Sequence, residues 1–154
     1  MPPRQVSVTR VIAATPEAIF RIVADASFHH VIDGSGTVRG TSGTPEPLAL
    51  GSRFAMKMKL GVPYVIGSTV VEFEQDRRIA WAHIGKHRWR YELTPLEPAE
   101  DGSPRTEVTE TFDWSTSVFP KAIELAGYPK RHVPNMTRTL ERLDAFVQNR
   151  TSAL

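Results

Sequence analysis

The sequence predicts an α+β fold in which an antiparallel sheet of six or seven strands curves around a long C-terminal helix. Residues 132–150 carry large apolar side chains every three or four positions, the pattern of an amphipathic helix. Most of the preceding chain alternates apolar and polar residues in short segments, which is typical of half-buried strands. Hairpin-length connections join these segments, so strands that follow one another should pair antiparallel. A sheet bent around one helix should leave a cavity between them.

The first strand and the first helix are predicted from residues 5–25. Residues 5–13 alternate loosely, and Thr15, Pro16 and Glu17 follow them. These three supply a hydroxyl N-cap, a proline at the first helical position and an acid near the positive end of the helix dipole. We expect this helix to end near Asp25, with one more helical turn over residues 26–31.

The central strands are predicted from alternation bounded by turn residues. In residues 64–74 the pattern places Val71 and Phe73 on one face, and in residues 87–93 it places Trp89 and Tyr91 opposite Arg88 and Arg90. Residues 94–104 form a polar, proline-rich loop. The predicted strands are a short edge strand followed by a loop over 37–50, then strands over 51–59, 64–74, 79–84, 87–93 and 105–114.

Two helices are predicted after the last strand. Residues 118–126 form a short helix that Gly127 ends. The long helix follows over residues 132–150, with Pro134 in its first turn, where a missing backbone N–H breaks no hydrogen bond.

Length and composition predict one domain over residues 1–154. The chain has no cysteine, which excludes disulfides, thiolate metal sites and a cysteine nucleophile. The formal net charge is only +2, and the basic residues form no long run, so nucleic-acid binding is not expected. No apolar run has the length of a signal peptide or a membrane span, and we expect a cytoplasmic protein without stable membrane insertion.

Four segments carry a resemblance to a known family: VTRVIAATPEAIFRIVAD near the N-terminus, RRIAW and ETFDW in two strands, and LERLDAF in the last helix. With these segments the chain resembles the START-like (SRPBCC) superfamily of the helix-grip fold, also seen in Bet v 1-like proteins. Within it, the chain is similar to the bacterial polyketide cyclase/dehydrase and lipid-transport-like group. The resemblance implies a deep apolar pocket between the concave sheet and the terminal helix, which a ligand enters at one end. The segment SVFPKAIELAGYP is an addition that would cover or narrow this entrance.

The candidate ligand-binding residues are large apolar side chains on the expected inner face, together with one carboxylate. Methionine and aromatic side chains suit a flat or flexible apolar ligand, although the same residues also serve as plain core. The set is Phe54, Met56, Met58, Trp89, Tyr91, Glu110, Phe112, Trp114, Met136 and Leu140.

Glu110 and Tyr91 are the candidates for catalysis. Strand parity puts Glu110 beside Val108 and Phe112 on the inner face, where burial would raise the pKa of its carboxyl group. Such a group is suited to hydrogen-bond a ligand hydroxyl or to act as a general base. The alternative is a bulge that turns Glu110 outward, or a salt bridge at the end of the sheet.

The five histidines do not predict a metal site: the pair four residues apart, His83 and His87, falls on two adjacent predicted strands and not on a helix, and no third ligand accompanies it. His83 and His87 would face each other across a hairpin, where packing or surface exposure is the expected role. His29 and His30, followed by Asp33, are candidates for the pocket entrance. We expect neither a metal nor a cofactor.

Three functions fit the sequence. The first is a binding or carrier protein for a small hydrophobic ligand of polyketide, lipid or aromatic type. The alternative is a polyketide cyclase/dehydratase-type enzyme that uses the same cavity, with an acyl-carrier protein as partner and Arg88, Arg90, Lys130 and Arg131 as candidate contacts. The second alternative is a protein-interaction domain with a filled core. A homodimer through an edge strand near Thr37 or Gln5 is left open.

Overall fold

The fold is described from a computed structural model, which describes residues 3–42 and 47–152. Seven antiparallel strands form one sheet in the order β1-β7-β6-β5-β4-β3-β2, and a long helix, α4, packs against its inner face. The α+β fold class and the helix-grip arrangement are confirmed. The strands are β1 Gln5–Ile12, β2 Val38–Ser42, β3 Arg53–Leu60, β4 Val62–Glu74, β5 Arg78–Ala82, β6 Arg88–Leu96 and β7 Arg105–Asp113, and the helices are α1 Pro16–Val23, α2 His29–Ile32, α3 Pro120–Leu125 and α4 Tyr128–Ser152.

The helix α1 begins as its sequence predicts. The Thr15 hydroxyl accepts a hydrogen bond from the backbone N–H of Ala18 at 3.2 Å, and Pro16 occupies the first turn. Ile19, Phe20 and Val23 are buried on one face of this helix. A single 3₁₀ turn over Ala26–Phe28 then leads into α2. Together these short helices cover one part of the inner face and leave the rest to α4.

The helix α4 is 25 residues long and starts earlier than the sequence predicts. It begins at Tyr128 rather than at residue 132, so Pro134 lies inside the helix and not in its first turn. Pro129 is the proline of the first turn, where the missing N–H is tolerated. Further along the helix, one residue in every three or four is buried on the side that faces the sheet: Met136, Leu140, Leu143 and Val147.

Two strand details differ from the predictions. The register of β4 against β5 shifts between Val70 and Glu72, so Val70 is buried and the prediction that Val71 shares the face of Phe73 is wrong. A bulge inserts one residue and reverses the alternation beyond it. The strand β6 continues to Leu96 by pairing with β7, so the predicted loop begins three residues later than expected. The predicted loop after β2 falls partly on residues 43–46, which lie outside the described residues.

One end of the sheet brings several chain segments together. The β3–β4 hairpin, the β5–β6 hairpin, the link from β7 to α3 and the first turns of α4 all lie at this end, because the strands alternate in direction. Within residues 3–42 and 47–152, no helix is both long enough and apolar enough to cross a membrane.

Candidate functional site

A cavity of about 530 Å³ lies between the inner face of the sheet and α4. The strands β3 to β7 supply its wall, α2 and the following loop close one side, and α4 closes the other. Its lining includes Tyr64, Tyr128 and Arg131, which are exposed, so the cavity reaches solvent at the end of the sheet where the hairpins and α4 meet.

Most of the predicted ligand-binding residues line this cavity. They are Met56, Met58, Trp89, Tyr91, Glu110, Phe112 and Met136. Strand alternation turned six of them inward, because each lies on β3, β6 or β7 with its side chain on the same face.

Phe54, Trp114 and Leu140 do not line the cavity. Phe54 packs edge-on against Trp81, and Leu140 is buried in the core. Trp114 stacks on Phe112 with ring centroids 5.6 Å apart, and its indole N–H donates to Glu124 at 2.9 Å. Phe54 and Leu140 thus belong to the hydrophobic core, and Trp114 supports the lining residue Phe112.

Glu110 points inward and is only 4% exposed. Its strand β7 pairs it with Tyr91 on β6, and the Tyr91 hydroxyl donates a hydrogen bond to Glu110 Oε1 at 3.2 Å. The other oxygen, Oε2, has no hydrogen-bond partner among the described residues. No bulge turns this side chain outward.

The environment of Glu110 favours its protonated form. Burial raises the pKa of the carboxyl group to about 8, and the nearby Asp33 acts in the same direction, while the Tyr91 hydrogen bond opposes the change. Burial also raises the pKa of the Tyr91 hydroxyl. At neutral pH the pair is therefore mainly uncharged, and Glu110 has both a proton to donate and an oxygen lone pair to offer.

His29 adds a second buried polar atom to the lining. Its Nε2 lies 2.9 Å from the carbonyl oxygen of Val23, which can only accept, so Nε2 carries the hydrogen. Burial lowers the pKa of this ring, which keeps it neutral. Its Nδ1 is then a hydrogen-bond acceptor, and it has no partner in the described part of the chain. The ring stacks on Trp81 at 4.6 Å.

Three further histidines line the cavity near its open end and form the histidine cluster: His83, His87 and His132. His83 and His87 meet across the β5–β6 hairpin with ring centroids 5.3 Å apart, as their positions in the sequence predict. His132 reaches them from α4 and packs on Phe112 at 4.6 Å. Burial lowers the pKa of His83 and of His132 to about 4, and the neighbouring His87 adds to both shifts.

The cluster is not arranged for a metal ion. In the ranges 3–42 and 47–152, no group of three or more histidine or acidic side chains is placed to hold one. The His83 Nδ1 instead forms a hydrogen bond with the Ser68 hydroxyl at 2.8 Å.

The basic residues of β6 lie on the outer face of the sheet, as the alternation predicts. Arg90 contacts Glu72 at 2.7 Å and Asp113 at 3.1 Å, and Arg88 contacts Glu72 at 2.9 Å. These two arginines are thus engaged away from the cavity. Of the other candidate basic contacts, Arg131 lines the cavity and Lys130 is exposed on α4.

The sequence did not single out several lining residues. Alternation over the predicted strand 79–84 puts Trp81 and His83 on one face, and pairing this strand with β6 places that face in the wall of the cavity. The polar loop after α2 and the first turns of α4 carry no comparable signal, because their approach to the sheet depends on tertiary packing. His29 and Asp33, which the sequence suggests for the pocket entrance, and Arg131, a candidate contact, also line the cavity. The other additional lining residues are Ile32, Ser35, Thr37, Val38, Tyr64, Ile66, Trp81, Ile123, Tyr128, Asn135 and Thr139, together with His83, His87 and His132.

The cavity combines apolar walls with a few polar atoms, which is the usual make-up of a small-molecule site. A family model described as polyketide cyclase / dehydrase and lipid transport matches residues 3–148.

Comparison with curated proteins finds two relatives from strains of Mycobacterium tuberculosis. The uncharacterized protein Rv0088 is 38% identical over 154 residues, which cover 96% of this chain and 66% of that protein. The uncharacterized protein MT0096 matches with the same identity and the same coverage. The chain therefore spans slightly less than two thirds of the length of these relatives.

Solved structures share the same shape at low sequence identity. Protein NE0264 from Nitrosomonas europaea has a TM-score of 0.71 and 13% identity, with 99% of each chain covered. The AHSA1-like protein from Aeromonas hydrophila has a TM-score of 0.60 and 20% identity, covering 96% of this chain and 94% of that one. Protein Ms6760 from Mycobacterium smegmatis has a TM-score of 0.65 and 15% identity, covering 95% and 92%. At these identities the likeness shows the fold alone.

Proposed function

The chain belongs to the polyketide cyclase / dehydrase and lipid transport family, and within it we propose that this protein binds a small hydrophobic molecule of polyketide, lipid or aromatic type. The ligand lies in the cavity between the sheet and α4. One observation carries the proposal: the apolar cavity holds a buried carboxyl oxygen, Glu110 Oε2, that has no partner among the described residues. A buried polar atom without a partner costs free energy, which a ligand hydroxyl or carbonyl would recover.

The walls fit a flat or flexible apolar body. Trp89 and Phe112 present neighbouring rings, with centroids 4.8 Å apart. Met56 and Met58 line the opposite part of the wall on β3, where unbranched side chains adapt to the shape of a ligand. A cavity of about 530 Å³ is within the range typical of small-molecule sites.

Uptake of the neutral fluorescent probe N-phenylnaphthylamine tests the site. We expect saturable binding to the wild type and at least a tenfold weaker affinity in Met58→Trp, because the larger side chain would fill the cavity. The matched control is Leu50→Trp, which adds the same ring at an exposed position outside the lining. Equal affinity in all three proteins would overturn the proposed location of the ligand.

A pair of competitors tests the role of Glu110. Naphthol and naphthalene differ by one hydroxyl, and we expect wild type to prefer naphthol by about 1 kcal/mol or more, the value of a hydrogen bond to a buried partner. Glu110→Leu should remove this preference while leaving naphthalene affinity nearly unchanged. A preference for naphthol that survives in Glu110→Leu would exclude Glu110 as the recognition group.

An enzyme of cyclase or dehydratase type is the second candidate. The observation that favours it is the pKa of Glu110, about 8, since a general acid or base works best with a pKa near the working pH. Tyr91 would orient the carboxyl group through its hydrogen bond. Glu110→Gln should then abolish turnover of a cyclisable poly-ketone without abolishing its binding, whereas a pure carrier shows no turnover in either protein.

The third possibility, an interaction domain with a filled core, finds no support in a cavity of this size. The cytoplasmic location, the homodimer and the acyl-carrier partner stay predictions from the sequence.

A further inference from the structure

We propose that the histidine cluster, His83, His87 and His132, is a second polar subsite that binds a carboxylate group of the ligand. The inference rests on the proposed function and narrows it to one class of ligand. This class is an apolar acid whose carboxylate lies near the cavity entrance, and whose far end offers a hydroxyl or carbonyl group to Glu110.

The order of side chains along β6 and β7 separates the two polar subsites. Tyr91 pairs with Glu110, and the next inward pair toward the entrance is Trp89 with Phe112. His87 lies two residues beyond Trp89. The His87 ring packs on Phe112 with centroids 5.5 Å apart, and Phe112 lies two residues from Glu110 along β7, which is about 7 Å at strand spacing. Between the two subsites lies an aromatic wall.

Contacts from the helix complete the second subsite. The ring of His132 on α4 lies 4.9 Å from the ring of Trp89 and 4.6 Å from that of Phe112, measured between centroids. His87 packs on the same Phe112 ring, so His132 and His87 approach the same aromatic side chain. The His132 ring also stacks on Tyr128, with ring centroids 5.8 Å apart. The three imidazoles therefore approach the cavity from both the sheet and the helix.

The charge and hydrogen bonding of the cluster favour an anion. Within the described residues, none of the three rings forms an ion pair with a carboxylate, and no acidic group contributes to their pKa shifts. The His87 Nδ1 is buried without a hydrogen-bond partner in the same part of the chain. Besides Glu110, the charged side chains in the lining are Arg131, a cation, and Asp33, which acts on the pKa of Glu110 and not on that of any of the three histidines. Imidazole N–H groups and a nearby guanidinium are suitable donors to a carboxylate.

Proton linkage gives the subsite a recognisable signature. Burial lowers the pKa values of His83 and His132 to about 4. A bound carboxylate would favour the imidazolium form, so binding should take up a proton. If one histidine regained its ordinary pKa of 6.5, the affinity for an acid would rise about fourfold between pH 8 and pH 6.

A matched ligand pair tests the inference: decanoate and its neutral methyl ester, each displacing N-phenylnaphthylamine from the full chain. We expect the affinity of decanoate, relative to that of the ester, to rise about fourfold or more between pH 8 and pH 6. Glu110 also titrates in this pH range and lines the same cavity, and its charged form would repel decanoate but not the ester. Both competitors are therefore also measured in Glu110→Gln, where this rise should persist. His132→Phe, which keeps an aromatic ring against Phe112 and Trp89, should abolish this rise. His30→Phe, an exposed position outside the lining, is the control and should keep it.

The outcomes separate this inference from the proposed function. Suppose that the probe and both competitors bind. The carboxylate subsite alone is then overturned if the affinity of decanoate relative to the ester does not rise between pH 8 and pH 6, or if that rise persists in His132→Phe. Failure of the probe and of both competitors to bind would overturn the proposed function and this inference with it.

Discussion

The hydroxyl of Tyr91 donates a hydrogen bond to Oε1 of Glu110 at 3.2 Å, across two neighbouring strands, and Oε2 of the same carboxyl group has no partner among the described residues. Strand register fixes this pair, because Tyr91 and Glu110 are directly opposed in the β6–β7 ladder. Burial of this carboxyl group makes the stability of the fold depend on pH, and Oε2 is the atom that we propose a ligand contacts.

Glu110 should make the protein less stable as pH rises. Its pKa is about 8 in the folded chain against an ordinary 4.5, so the folded state holds the proton more tightly than the unfolded state. The stabilising contribution is complete below about pH 4.5 and is lost as pH rises through about 8. Relative to Glu110→Gln, which cannot titrate, wild type should lose up to about 1.4 kcal/mol per pH unit within this window.

Urea unfolding of both proteins between pH 5 and pH 8 measures this difference, and all other titrating groups are common to the two chains. Parallel stability curves would show that the Glu110 carboxyl is not held in its protonated form.

His132 should have the opposite effect at acid pH. Its pKa is lowered from 6.5 to about 4 in the folded chain, mainly by burial. The unfolded state therefore binds the proton more tightly, and stability is lost as pH falls from about 6.5 through about 4. His132→Phe should reduce the loss, by less than about 1.4 kcal/mol per pH unit because the ring is partly exposed. Acid unfolding followed by circular dichroism tests this, and an unchanged pH midpoint would contradict it.

The ion-pair network on the outer face should stabilise the sheet through Arg90. This side chain is 13% exposed and joins Glu72 to Asp113, so Arg90→Met would leave two partly buried carboxylates with fewer partners. We expect a loss of about 2 kcal/mol in the free energy of unfolding. The matched control is Arg78→Met, which removes an ion pair with Glu92 whose arginine is 46% exposed, at a cost below about 1 kcal/mol. Equal losses would show that burial of the network is energetically irrelevant.

Gly34 allows the loop after α2 to touch α4. A Cβ atom there would lie 2.5 Å from the Asn135 carbonyl oxygen and 2.6 Å from the Thr139 backbone nitrogen. Gly34→Ala should therefore move the loop and cost about 2 kcal/mol or more. In Gly67→Ala the added Cβ meets nothing within 4 Å, and we expect little change. Thermal unfolding compares the two, and similar midpoints would contradict the close contact at Gly34.

Much of the fold could be predicted because strands and amphipathic helices have simple periods. The inward orientation of Met56, Trp89 and Glu110 follows from strict alternation on strands without bulges before those positions. The bulge between Val70 and Glu72 interrupts this alternation, and the residue types at these positions do not predict a bulge. The predicted start of α4 at residue 132 is four residues too late because Pro134 fits a first turn, whereas Pro129 occupies that turn in the structure.

The site was harder to predict than the fold because it depends on tertiary placement. Phe54, Trp114 and Leu140 share the apolar character of the lining, and periodicity cannot separate a residue that lines the cavity from one buried in the adjacent core. The histidine cluster combines a hairpin pair with His132, a residue about 45 positions away, which only the packing of α4 brings close. Local sequence patterns do not predict a contact between residues so far apart in the chain.

Native mass spectrometry of the protein purified from its own host most directly tests the central claim that the cavity holds an apolar ligand. We predict a co-purifying small molecule near one per chain, released on denaturation, apolar in its body and bearing a hydroxyl or carbonyl group. The Met58→Trp variant, prepared in parallel, should lose it. A bare chain mass in both proteins, together with no uptake of N-phenylnaphthylamine by the wild type, would contradict the account.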